Sequence, residues 1–148
     1  MDNLSHVEAE LERHFPQRLV GGVITPHECE ECAAIRQYLG PLTWSQVSDA
    51  FAEQFSGSLP LLSPDAYNAY LPAWVRAALH KPDGDVAGII LINLADEPPM
   101  EHFTQGQAQS LLRAARLFVT INPWGVDDPV NVERLAEVER TWATRSAA

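Results

Sequence analysis

The segment His27-Glu28-Cys29-Glu30-Glu31-Cys32 carries both cysteines of the chain and adds an imidazole within six residues. A Cys-x-x-Cys spacing places two thiols on one side of a helix turn. His27, Cys29 and Cys32 are thus three donors of the kind zinc accepts, and a closed tetrahedral site takes a fourth. His6, His14, His80 and His102 are the imidazoles available for that place. Two more cysteines would complete a four-thiolate set, and the chain has none. The plainer account is that buried cysteines serve as small apolar fillers. A redox account uses the same atoms, because the dipole at a helix N-terminus stabilises a thiolate. Glu28, Glu30 and Glu31 crowd the thiols and should oppose this. Nor does a clear strand precede the motif, as a thioredoxin-like arrangement would require.

Two other groups of residues are candidates for binding. Tyr67, Tyr70 and Trp74 cluster around Pro72, and such side chains give large, stiff, amphipathic contacts to a partner. At helical spacing, aromatics are more commonly core. Acidic residues gather at Glu8/Glu10/Glu12, Asp83/Asp85, Asp96/Glu97/Glu101 and Asp127/Asp128. Such clusters are usually solvated helix faces. Together with the aromatics, Asp83, Asp85, Asp96, Glu97 and Glu101 make the expected surface for a basic partner. No Gly-x-Ser-x-Gly elbow, P-loop, His-Glu-x-x-His or EF-hand loop is present, and no catalytic residue is assigned.

The elements that must position these residues read as helices. Leu4, Val7, Leu11 and Phe15 make one face of a first helix, which Pro16 ends. Thr25-Pro26-His27-Glu28 predicts the second start, with Thr25 as cap and Pro26 at the first position, placing His27 one turn before Glu31. That helix runs to Leu39, with Cys32, Ile35 and Leu39 inward, and Gly40-Pro41 stops it. Thr43-Trp44-Ser45-Gln46 is a capping box for a helix burying Trp44, Val47, Phe51 and Phe55. Ser56-Gly57-Ser58 reads as a linker. Ser63-Pro64-Asp65 opens the segment Ala66 to His80, where Pro72 predicts a kink or two short helices. Val86 to Leu94 suits either a buried strand paired with Arg18 to Ile24 or a short helix capped by Asp85. The helix is favoured, because a lone strand pair is marginal. Thr104 and Gln107 open a late helix that Asn122-Pro123-Trp124-Gly125 breaks, and Asp128-Pro129 opens the last.

The expected fold is therefore mainly α, a single-domain array of six or seven helices over 1–148, with at most one short strand pair. A chain of 148 residues, 46% hydrophobic, buries roughly 70% of its unfolded surface, so it needs no metal or disulfide merely to fold. The N-terminus has neither a basic start nor an apolar run, and no stretch approaches the ~20 apolar residues of a membrane helix. With only two cysteines, a reducing cytoplasm is the expected compartment. Twenty acidic against ten basic residues give a net charge of −10, which repels phosphate backbones and attracts a basic protein.

Leu61-Leu62-Ser63-Pro64-Asp65-Ala66-Tyr67-Asn68-Ala69-Tyr70-Leu71-Pro72-Ala73 resembles an uncharacterised bacterial family known only as a domain of unknown function. Cys29-Glu30-Glu31-Cys32, the Trp44 segment and Phe103-Thr104 with Gln107 are similar too, so the resemblance spans about Leu11 to Phe118. It implies one compact bacterial domain and brings no activity, cofactor or site residue. Charge, size and the missing catalytic motifs lead to an expected role in protein binding without catalysis, such as an immunity or inhibitor protein that neutralises a toxin. The alternative is a zinc or thiol protein centred on His27, Cys29 and Cys32.

Overall fold

The first helix forms where the apolar spacing predicts it. In the computed structural model, which describes residues 3–123 and 127–147, α1 spans Leu4–His14. Asn3 caps it by accepting the His6 amide at 2.9 Å. Val7, Leu11 and the following Phe15 are buried, whereas Leu4 stays exposed.

The second start differs from expectation. Helix α2 spans Glu30–Leu39, and its cap is Cys29, not Thr25. Thr25 is buried, and Arg36 claims its hydroxyl, with Nη1 2.7 Å from Oγ1. Residues 25–28 are therefore a non-helical lead-in, and the one-turn relation of His27 to Glu31 does not exist. The inward stripe is as expected, with Cys32, Ile35 and Leu39 fully buried.

The capping box at Thr43 and Gln46 is present but opens only a 3-10 turn, Trp44–Gln46. Ser48 then caps α3, Asp49–Gln54, so the expected single helix is two pieces. The residues read as a linker begin a 3-10 turn, Ser56–Leu61, in which Ser58 and Leu59 are buried.

Helix α4, Pro64–His80, starts at the expected Ser63 cap and runs unbroken through Pro72. It is buried at 13 of its 17 residues, so it has no solvent face of the usual amphipathic kind. Helices α1, α3 and α5 (Asp85–Ala95) pack around it, as does α6 (Gln105–Ile121). Each large side chain buried there contributes about 1.5–3 kcal/mol. Val86 to Leu94 lies within α5, and no strand forms at 18–24. A helix satisfies its own backbone, whereas a strand would need a partner the chain does not supply. Gly84, not Asp85, is the α5 cap.

Helix α6 has the expected capping box of Thr104 and Gln107 and ends at Asn122. Trp124 and Gly125, in the expected break, lie outside the described residues. Helix α7, Pro129–Ser146, opens at Asp128 and packs on α5 and α6 through Val138 and Trp142. Among the described residues the architecture is seven α-helices, and one hydrophobic cluster draws on all of them. No described helix is long and apolar enough to cross a membrane.

A buried polar node joins three of these helices. Asn68 of α4 donates to the His102 carbonyl at 2.7 Å and to Gln107 Oε1 at 3.0 Å. Gln107 in turn donates to the His14 carbonyl that ends α1, also at 3.0 Å. Gly106 lies beside this crossing, where a Cβ would fall 2.5 Å from His14 Nδ1.

Candidate functional site: the Cys29–Cys32 pair

Cys29 sits where the extended lead-in turns into α2. Its Sγ accepts the Cys32 amide at 3.3 Å, the hydrogen bond an N-cap side chain ordinarily makes. The Cys32 thiol lies 2.8 Å from Cys29 Sγ. Cys29 is exposed and Cys32 is buried. The pair therefore has one sulfur facing solvent and one shielded beneath it.

This asymmetry divides the acidity of the two thiols. The hydrogen bond with the Cys32 side chain, and then the one from the Cys32 amide, hold the Cys29 pKa below the ordinary thiol value. Cys32 is pushed up, first by its side-chain hydrogen bond with Cys29 and then by burial. The expected opposition from glutamates reduces to Glu31, whose charge acts on Cys29 but is outweighed by the two hydrogen bonds.

The surroundings hold the turn in place from three sides. Arg36 Nη1 lies 2.7 Å from the His27 carbonyl and 3.3 Å from that of Thr25, fixing the lead-in against α2. Ser58 of the 3-10 turn donates to Glu31 Oε2 at 3.0 Å. At the far end, Tyr70 of α4 approaches the Leu39 and Leu42 carbonyls at 3.0 and 2.9 Å. Of the seven α-helices, α2 approaches the others least closely, so these polar contacts and its three buried side chains seat it.

The expected zinc donors fare unequally. Two thiolates on a tetrahedral zinc, with Zn–S bonds near 2.3 Å, stand about 3.8 Å apart, wider than the separation here. His27 is exposed in the lead-in. His80 is bound between Asp49, at 2.7 Å, and Glu8. His14 pairs with Glu10 at 3.2 Å, and His102 lies 3.8 Å from Glu101. Among the described residues no three His, Cys, Asp or Glu side chains are grouped to hold a metal.

The expected partner surface is not assembled as a unit. Tyr67, Tyr70 and Trp74 are core residues, 5%, 0% and 0% exposed, because α4 is enclosed along most of its length. This corrects their placement on a binding face. The acidic members are exposed but divided. Asp83 and Asp85 lie at the start of α5, beside a groove of about 500 Å³ that Arg134 also lines. Asp96 and Glu97 follow its end, about 16 Å away along the axis for 11 residues. Glu101 lies beyond, in the 3-10 turn Met100–His102.

Sequence reasoning missed the capping role of Cys29 and the grip of Arg36. Cysteine is not a usual cap, and Thr25-Pro26 gave a stronger start signal. The acidic first turn, Glu30 and Glu31, was the available clue to the true start. Comparison of the chain with protein-family models, with curated proteins and with solved structures finds no match.

Proposed function

We propose that the chain is a thiol–disulfide exchange protein, with Cys29 as the attacking thiol and Cys32 as the resolving one. The observation that carries this reading is the arrangement itself: an exposed sulfur at the helix cap in contact with a buried partner thiol. The Cys29 thiolate attacks one sulfur of a disulfide substrate, forming a mixed disulfide and releasing one substrate thiolate. Cys32 then attacks Cys29 Sγ, its proton passing to the departing second thiolate. The substrate gains two electrons and leaves as two thiols, and the pair is left as a disulfide.

The test is trapping. A Cys32→Ser variant incubated with oxidised glutathione should accumulate a mixed disulfide at Cys29, and Cys29→Ser should not. Equal, slow reaction of both variants, at the rate of an unstructured cysteine peptide, would remove the proposal. Elemental analysis of freshly purified protein tests the zinc alternative separately. Stoichiometric zinc lost on either substitution would replace exchange with a metal role.

A second reading, docking of a basic protein as an immunity or inhibitor protein would do, has its own support. A groove between α5 and α7 exposes Ile92 and Val130 beside Asp96, Glu133 and Glu137, three carboxylates against the single cation Arg134. Apolar surface rimmed by carboxylates suits a basic amphipathic segment. Native pull-down at low salt tests it. A basic partner released by Glu133→Lys with Glu137→Lys supports docking, and no loss of the partner defeats it.

A further inference from the structure

Cys29 is the exposed member of the thiol pair, so the charge around it acts on any disulfide that approaches. Glu28 and Glu30 are its neighbours along the chain, and Glu31 follows in the first turn of α2. All three are exposed. Consecutive Cα atoms are about 3.8 Å apart, so a flanking carboxylate stands within about 10 Å of the sulfur, the Debye length at 0.1 M salt. The charge of Glu31 already acts on the Cys29 thiol.

Little offsets these carboxylates. Arg36 is the one cation of α2, and its Nη1 is turned to the Thr25 and His27 carbonyls and the Thr25 hydroxyl. The 3-10 turn Ser56–Leu61, which meets α2 through Ser58, carries no charged residue. His27 is exposed beside Glu28, and an imidazole is mostly neutral above about pH 7.5. The net charge of the whole chain, −10, adds a field of the same sign.

Carboxylates beside a thiol oppose its ionisation and so burden attack on every disulfide alike. Glu30 and Glu31 have a local use, because acidic residues in a first turn complement the helix dipole. Glu28 has no such use, since it precedes the Cys29 cap in the non-helical lead-in. Attraction of a cationic substrate accounts for all three together.

We propose that the disulfide exchanged at Cys29 is a cationic one, its sulfurs flanked by ammonium or guanidinium groups that Glu28, Glu30 and Glu31 draw in; this deepens the exchange reading and rests on it. The Cys29 thiolate breaks the substrate's S–S bond and releases one aminothiolate, and Cys32 displaces the second from the mixed disulfide. One disulfide becomes two cationic thiols as the Cys29–Cys32 bond forms.

Three disulfides of similar size are the probes: cystamine, bis(2-hydroxyethyl) disulfide and 3,3′-dithiodipropionate, respectively cationic, neutral and anionic. Mixed-disulfide formation at Cys29 is timed by mass spectrometry on the full Cys32→Ser chain at about pH 8, above the range where imidazoles titrate. Each rate is divided by that of a neutral, unstructured cysteine peptide. The wild-type chain, followed by thiol release, gives the same comparison with no substitution. In 0.01 M salt, where the Debye length is about 30 Å, cystamine should exceed dithiodipropionate about tenfold, with the neutral disulfide between them. In 1 M salt, where it is about 3 Å, the difference should shrink below about twofold. Glu28→Gln with Glu30→Gln should cut the low-salt ratio about threefold, and the ratio cancels any change in thiolate fraction, which all three probes share. Equal normalised rates at low salt, with the neutral disulfide still faster than with the peptide, would overturn the cationic preference and leave exchange standing. So would a low-salt ratio unchanged in the double variant, which would assign it to the charge of the whole chain. A neutral disulfide no faster than with the peptide would remove exchange itself, and the preference with it.

Discussion

Ser58 donates its hydroxyl to the Glu31 carboxylate across 3.0 Å, tying the first turn of α2 to the turn that follows α3. The same carboxylate acts on Cys29, against the hydrogen bonds that lower its pKa. Glu31→Gln removes the charge and keeps an acceptor for Ser58. Alkylation of Cys29 by iodoacetamide near neutral pH should then quicken about two- to threefold, since the thiolate is the reacting form. Ser58→Ala should instead cost about 1 kcal/mol of stability in urea titration, from loss of a part-buried hydrogen bond.

His80 fastens three helices, placed between Asp49 of α3 and Glu8 of α1 while itself ending α4. Burial pushes its pKa down, but hydrogen bonds to Asp49 and Glu8 and their charges outweigh this, and the net shift is upward. Arg76, 3.7 Å from Asp49, and Lys81, 3.9 Å from Glu53, are the nearby cations. A raised folded pKa means the imidazolium adds stability that is fully present below the unfolded value of 6.5 and lost as pH rises through the folded value. The urea midpoint should therefore fall as pH rises above about 6.5, and His80→Gln should flatten that slope. A midpoint that rises across the window would contradict the assignment.

Gln107 stands at the node between α1, α4 and α6. Gln107→Leu should cost about 2 kcal/mol, because it leaves one N–H of Asn68 and the His14 carbonyl without their partner, while the other Asn68 N–H keeps the His102 carbonyl. Paired with Asn68→Leu in a double-mutant cycle, the two changes should fall short of additivity by about 1 kcal/mol.

Trp142 is fully buried and donates Nε1–H to the Leu94 carbonyl at 2.7 Å. Its ring meets Phe103 edge-on at 5.0 Å. Trp142→Ala should cost about 3–5 kcal/mol, a large share of a domain's 5–15 kcal/mol, and Trp142→Phe markedly less. Guanidinium unfolding with fluorescence from the remaining tryptophans measures both.

Helix existence was readable from the caps. Ser63-Pro64, Thr104 with Gln107, and Asp128-Pro129 each act where the local chemistry places them, because capping depends on a few neighbouring residues. Thr25-Pro26 shows the limit. Its local signal was as good, yet Arg36, eleven residues later, takes the threonine hydroxyl, and the start moves to Cys29. Tyr67, Tyr70 and Trp74 illustrate a second limit. A helix that is apolar all round can be recognised, but whether its aromatics face a neighbour or a partner depends on tertiary enclosure. Cys29 and Cys32 were legible as a pair, whereas their division into exposed and buried members needed the packing of α2.

Because α4 is enclosed on nearly every side, its amides exchange with deuterium only when the whole interior comes apart. It is a built-in gauge of global opening. The first turn of α2, tied by Ser58 and Arg36 and seated by the single buried side chain of Cys32, opens at lower cost than that gauge. Exchange at Cys32 and Ala33 is therefore expected to outpace exchange at Tyr70 and Leu71 by orders of magnitude, which places both thiols in the part of the fold that opens first.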